Sequence, residues 1–282
     1  MLARAQTWWT ILRISLEERL VYRGDFWIGT MMRFLPIVTQ VFLWGAIFAG
    51  MGAAANRGGR GGTVAGYSYN DMVAYYLLAM LGRAFSSMPG LASSIARQIR
   101  SGEIKKYLIQ PVDLIGFLFL MRVAHKLVYY GIALVPFAVV FFLFRGYFTG
   151  WPSAGVLAAF SVSLILAFLL GFFLEATIGM IGFWLLEVNA LLFVYMLFNF
   201  FLSGQMFPLD MLSSLPNPWR TLVWIVPLQY MAYFPAAVWL GKVSGPQLWQ
   251  GLAIQAAWVV FFIVACRFAY NRGVRHYSGF GG

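Results

Sequence analysis

Residues 93–113 read SSIARQIRSGEIKKYLIQPVD, a basic, turn-broken stretch in which Arg97, Arg100, Lys105 and Lys106 stand between two long apolar runs. Lys and Arg resist passage across a membrane, so cations gathered between apolar runs mark a place where the chain leaves lipid and meets the cytoplasm. Each flanking run can cross a bilayer as a helix, which takes about 20 mainly apolar residues. The stretch therefore decides the class: an all-α integral membrane protein.

Composition points the same way. With 61% hydrophobic residues, 10% charged residues and a mean hydropathy of +0.77, the 282-residue chain has too little polar surface to coat a soluble globule. Its 11 Trp and 14 Tyr suit a chain that meets membrane interfaces repeatedly. The net charge of +11 is divided among segments separated by apolar runs, which fits anionic lipid headgroups and excludes a nucleic-acid surface. Cys266 has no second cysteine to pair with, so neither a disulfide framework nor a cysteine metal site is available. His125 and His276 have no partners at ligand or triad spacing, and no carboxylate pair suits glycoside chemistry. The first apolar run follows mixed charged residues without a small-residue cleavage site, so no cleaved signal peptide is expected and the N-terminus stays inside.

Six spans satisfy the length criterion, near residues 26–50, 71–88, 114–144, 153–179, 187–204 and 247–268. The third exceeds one crossing and carries Pro136, a site for a bend. With both termini cytoplasmic, only Arg57, Arg60, Arg145, Arg220 and Lys242 of the 20 Lys and Arg fall outside, which fixes the orientation by the positive-inside bias. Residues 1–25 are expected to form an amphipathic interface helix, with Leu2, Trp9, Leu12, Leu16, Leu20 and Tyr22 at helical spacing and Gly24-Asp25 as the turn into the first span. The glycine-rich residues 52–68 read as an outer loop. They lack the Gly-Lys-Ser/Thr ending of a phosphate loop, and no complete Walker motif occurs in the chain. In residues 205–245, Pro208, Pro216, Pro218, Pro227 and Pro235 cut an apolar region into pieces too short to span, a pattern expected of helices that dip into the outer leaflet and return.

Leu20 to Phe26, Ile99-Arg100-Ser101-Gly102-Glu103-Ile104 with Leu108-Ile109-Gln110-Pro111, and Ser203-Gly204-Gln205-Met206-Phe207-Pro208-Leu209 with Pro227-Leu228-Gln229-Tyr230 follow one another in an order similar to a known family. The chain resembles the permease subunit of ABC exporters of the type-2 superfamily. The resemblance covers nearly the whole chain and implies a six-helix permease domain over residues 26–282. It also implies pairing with a second permease, identical or paralogous, and with two ATP-binding subunits that hold ATP and Mg, so this chain carries no cofactor and no ATPase site. Membrane lipids complete the partners, and the cell (inner) membrane is the implied location.

In that family the turn after the second span, within residues 92–113, docks on the ATPase. The resemblance places this coupling role on Arg97, Ile99, Arg100, Gly102, Glu103 and Ile104. The chemistry suits it: Gly102 can end a short helix in a left-handed conformation, Ile104 and Leu108 offer an apolar knob, and the charged residues surround it. An acid at Ile104 is accordingly expected to break docking and leave the fold intact. Glu175, Glu187, Asn199, Met206 and Phe207 are candidate pathway or gate residues. Acids in a membrane protein face a cavity or a basic partner, so Glu175 and Glu187 are either gate residues or structural partners of Arg122, Lys126 or Arg33. An ion-coupled secondary transporter that uses Glu175 or Glu187 as its proton site is the alternative function. A lipid-modifying membrane enzyme ranks third, because the acids are scattered.

Overall fold

The computed structural model describes residues 2–21, 23–55, 62–110, 112–148, 150–185, 187–214, 216–217 and 219–277, and its regular elements are all helical. In chain order they are α1 (Leu2–Val21), α2 (Arg23–Ala55), α3 (Tyr69–Ser86), α4 (Leu91–Arg100), α5 (Lys105–Leu108), α6 (Leu114–Leu143), α7 (Ala154–Met180), α8 (Asn189–Leu202), α9 (Trp219–Ile225), α10 (Tyr233–Trp239) and α11 (Pro246–His276). Short 3-10 turns fill several of the junctions, among them Ile181–Phe183 after α7, Leu209–Ser214 before α9 and Pro227–Met231 before α10. Side chains choose several starts. Ser68 caps α3 in a reciprocal box with Asp71, Asp113 caps α6 through the Gly116 N–H, and Ser153 caps α7 through the Val156 N–H.

Among the described residues four helices are long and apolar enough to cross a membrane: Phe34–Gly52 within α2, Leu114–Leu143, Ala154–Phe183 and Pro246–His276. The other two expected spans form helices of a different kind. α3 carries Asp71, Arg83 and several tyrosines, and it is the bundle's centre, with Met72 to Ala79 buried without interruption. α8 has 14 residues, about 21 Å of helix against roughly 30 Å of hydrocarbon, and none of its residues is buried. The largest core joins α3, α7, α10 and α11, and a second core at the α4 end joins Met88, Leu91, Ile95 and Ile99 to Phe172, Met180, Phe183 and Cys266.

One local expectation changes. Gly24 and Asp25 lie inside α2 rather than in a turn. Helix α1 packs along α6, with Trp8 over Gly116 and Ser15 buried; Ile11, Leu12 and Leu16 are partly buried at the same helical spacing, while Trp9 and Ile14 are exposed. Helix α6 runs through Pro136 to Leu143 as one element. The region after α8 is broken into short helices as expected, and none of those described is long enough to span. Tyr22, residues 56–61, Pro111 and Pro218 lie outside the described residues.

Candidate functional site

The basic turn is built on a helix that lies flush against its support. In α4, Leu91, Ala92, Ile95, Ala96 and Ile99 form one buried face, while Ser93, Arg97 and Arg100 point away from the core. Glycine makes the close approach possible. A Cβ at Gly179 would stand 2.9 Å from Ile95 Cβ and 3.0 Å from the Ala92 carbonyl oxygen, and one at Gly182 would stand 3.0 Å from Ala96 Cα. Gly102 then takes φ +77°, a conformation glycine adopts without Cβ strain, and the chain folds back so that the Ile104 N–H donates to the Gln98 carbonyl at 3.0 Å.

This turn-back redistributes the expected contact residues. Ile99 and Ile104 are both 1% exposed and belong to the α4-end core, so the apolar knob expected at Ile104 does not face outward. Leu108 is half-buried. The outward surface consists of Arg97, Arg100, Glu103, Lys105 and Lys106, with Ile109 85% exposed beside them. Glu103 and Lys106 stand 3.8 Å apart on that surface, and the Lys106 ammonium lies over the Tyr107 ring at 5.0 Å. An acid at Ile104 would therefore enter the protein's own core.

Two ties hold the turn to the rest of the bundle. Arg267 of α11 donates from both terminal nitrogens to Asp113, at 2.5 and 2.6 Å, and Tyr277 donates to the Ile99 carbonyl at 3.3 Å. Burial alone would raise the Asp113 carboxyl, but Arg267 and the backbone N–H groups of Gly116 and Ile115 outweigh it and hold it below the usual range.

The pathway candidates are not gathered in one place. Glu175, on α7, lies by the Met88 backbone and within electrostatic reach of Arg122 and Lys126, two of the three partners weighed for it. The side chain of the third, Arg33, lies outside the described residues. Lys126 is buried and donates to the carbonyls of Ala84 and, at 2.8 Å, Ser87. Glu187 is exposed in the break before α8 and accepts from Asn189 at 3.0 Å, so it is not buried in the bundle. Asn199 carries a buried side-chain oxygen without a hydrogen bond.

Met206 and Phe207 begin a different structure, a layer of tyrosines above α3. Tyr75 donates to the Gly204 carbonyl at 2.6 Å and Tyr76 to the Met206 carbonyl at 2.5 Å, while Trp44 donates to the Tyr76 hydroxyl at 2.9 Å. Beside them Asp210 accepts from Tyr67 at 2.6 Å and from Tyr233 at 2.8 Å. Burial and the Asp210 charge push the Tyr67 hydroxyl well above its ordinary value, so it stays a donor.

A helical bundle with a basic turn seated on its own core at one end, and a tied, proline-broken segment elsewhere, is the setting in which the family comparison falls. Residues 34–281 match the family model described as ABC-2 family transporter protein. The chain belongs to the ABC-2 family. It is thus a membrane permease component of an ABC transporter, a multi-pass membrane protein and a transport part. No curated protein matches it. For this ABC-2 permease, sequence reasoning missed Ile109, the Asp113–Arg267 pair and the Asp210 cluster. Only Asp113 left a local signal, a capping residue just before the apolar run of α6.

Proposed function

We propose that this ABC-2 chain is half of an ATP-driven exporter that couples through the exposed surface of the α4–α5 turn to a separate ATP-binding subunit. The observation that carries the reading is the turn itself: a cationic strip with one protruding apolar residue, mounted on a helix packed flush against α7. Such a strip suits a protein surface better than solvent, because Ile109 supplies an apolar anchor and Arg97, Arg100 and Glu103 supply polar pairing around it. In this reading the six crossings are α2, α3, α6, α7, α11 and the segment 187–204 that holds the short α8, where the bilayer thins to meet it, both termini are cytoplasmic, and α9 and α10 re-enter from the outer side. The membrane is the cell (inner) membrane.

Two ATP-binding subunits hold ATP and Mg, and a second permease, identical or paralogous, completes the pathway. The uncovered α8, none of whose residues is buried, supports a neighbouring helix there. The test is copurification with a coexpressed Walker-motif subunit. Arg97→Glu with Ile109→Asp should abolish it while the permease alone unfolds at an unchanged temperature. Full association and substrate-stimulated ATPase in that variant would overturn the assignment. Cysteine at Ser213 should react with an impermeant reagent from outside and cysteine at Ser101 should not; labelling of Ser101 would reverse the orientation.

A further inference from the structure

A cleft of about 440 Å³ opens between the end of α11 and the turn that follows α7, lined by Trp184, Phe268, Arg272, Arg275 and His276. Four of these share one stripe of α11, because positions i, i+4, i+7 and i+8 fall on the same side of a helix. The fifth is delivered by close packing. The Phe183 ring lies so near Gly273 that a Cβ there would be 2.2 Å from it, and this contact sets the next residue, Trp184, against the stripe.

The stripe is graded. Phe268 is apolar, Arg272 lies over its ring at 5.7 Å, and Arg275 and His276 follow. From Phe268 to His276 the rise is about 12 Å, comparable with the passage from hydrocarbon through a headgroup layer. The length of α11 agrees: 31 residues make about 46 Å, well beyond roughly 30 Å of hydrocarbon, so its last turns stand at headgroup depth or beyond. Trp184 is 45% exposed, as suits an aromatic at that depth. Among the described residues neither Arg272 nor Arg275 has a carboxylate within ion-pair distance, whereas Arg267, one turn earlier, is engaged by Asp113. The carbonyl end of α11 repels anions, so the two guanidiniums must supply the attraction for any anion held there.

We propose that this cleft is a binding site for one anionic phospholipid, its phosphate held by Arg272 and Arg275 and its glycerol and upper acyl chain lying on Trp184 and Phe268. A neutral lipid could use the apolar wall but would gain little from the guanidiniums. Free phosphate could use the guanidiniums but not the wall. The inference does not depend on coupling to an ATPase.

The test is native mass spectrometry of the purified full chain in detergent, titrated with phosphatidylglycerol or phosphatidylcholine. Wild type should retain one phosphatidylglycerol in preference to phosphatidylcholine. Arg272→Gln with Arg275→Gln should weaken that retention about thirtyfold, two interfacial charges having been removed, and leave phosphatidylcholine unaffected. Equal retention by the double variant, or no preference in wild type, would overturn the site. Displacement of the lipid by millimolar inorganic phosphate would reassign it to a soluble anion. If the double variant does not fold, Trp184→Ala decides: it keeps both charges and should still lower retention, and unchanged retention would refute the proposal.

Discussion

The α4 turn and the layer above α3 are both attached to the same central helices, yet by opposite chemistry. At the α4 end the contact is apolar and depends on missing side chains, Gly179 and Gly182 admitting the α4 backbone to van der Waals distance. At the Met206 end the contact depends on side chains reaching out, with hydroxyls of Tyr67, Tyr75, Tyr76 and Tyr233 gripping carbonyls and Asp210. Close apolar packing is specified by shape and has no preferred alternative partner, whereas each buried hydroxyl must keep its acceptor or be left as an unpaired polar group. The difference teaches that this permease fixes one attachment by shape and the other by polar pairing.

The largest effect that could break this comparison comes from Ile104. Ile104→Asp puts an unpaired carboxylate into the α4-end core and should cost about 4 kcal/mol, read as loss of folded permease by thermal unfolding in detergent. Ile109→Asp should stay within about 0.5 kcal/mol of wild type in the same assay, because Ile109 faces outward. Equal stability of the two variants would mean that Ile104 does not pack in the core.

Next in size is Gly179→Val, which forces α4 off α7 and should destabilise by about 1 to 3 kcal/mol through overpacking. Protease access at Arg97 and Arg100 should rise in parallel. Smaller still is Tyr233→Phe, which removes one hydroxyl bond to a carboxylate. It should cost about 1.5 kcal/mol while raising hydrogen exchange around Gly204 to Asp210 more than around α4. Uniform exchange across both ends would erase the distinction drawn here.

The smallest effect is a pH dependence. The folded Asp113 carboxyl is held below its ordinary value, so its contribution is complete above about pH 4 and is lost as pH falls through the depressed value. Asp113→Asn should therefore flatten the acid side of the stability profile by lowering the neutral plateau toward the acid value, a drop of only about 0.5 kcal/mol because the pair with Arg267 is partly exposed. An unaltered acid limb would show that Arg267 does not hold Asp113.

The long apolar helices were legible because a run of about 20 apolar residues is a local signal. The face Leu91, Ile95, Ile99 has equally local helical spacing but was not read from it. What followed Gly102 was not legible, because a left-handed residue resets the helical phase and periodicity cannot say whether Ile104 or Ile109 turns inward. The shortness of α8 was hidden by the apolar residues around it, which read as one continuous run. The Tyr67–Asp210 bond and the Asp113–Arg267 pair join residues more than 140 positions apart, and no window along the chain contains both partners.

One consequence of the glycine-lined contact is mechanical. Helix α7, 27 residues and about 40 Å long, is a rod to which α4 is clamped near one end, its backbone close at Gly179 and Gly182 and its Leu91, Ile95 and Ile99 packed in the core beside them. Close packing of this kind transmits strain, so a push on the clamp is passed on to the rod. It must reappear as tilt along the rod, and the farther end moves in proportion to its distance from the pivot.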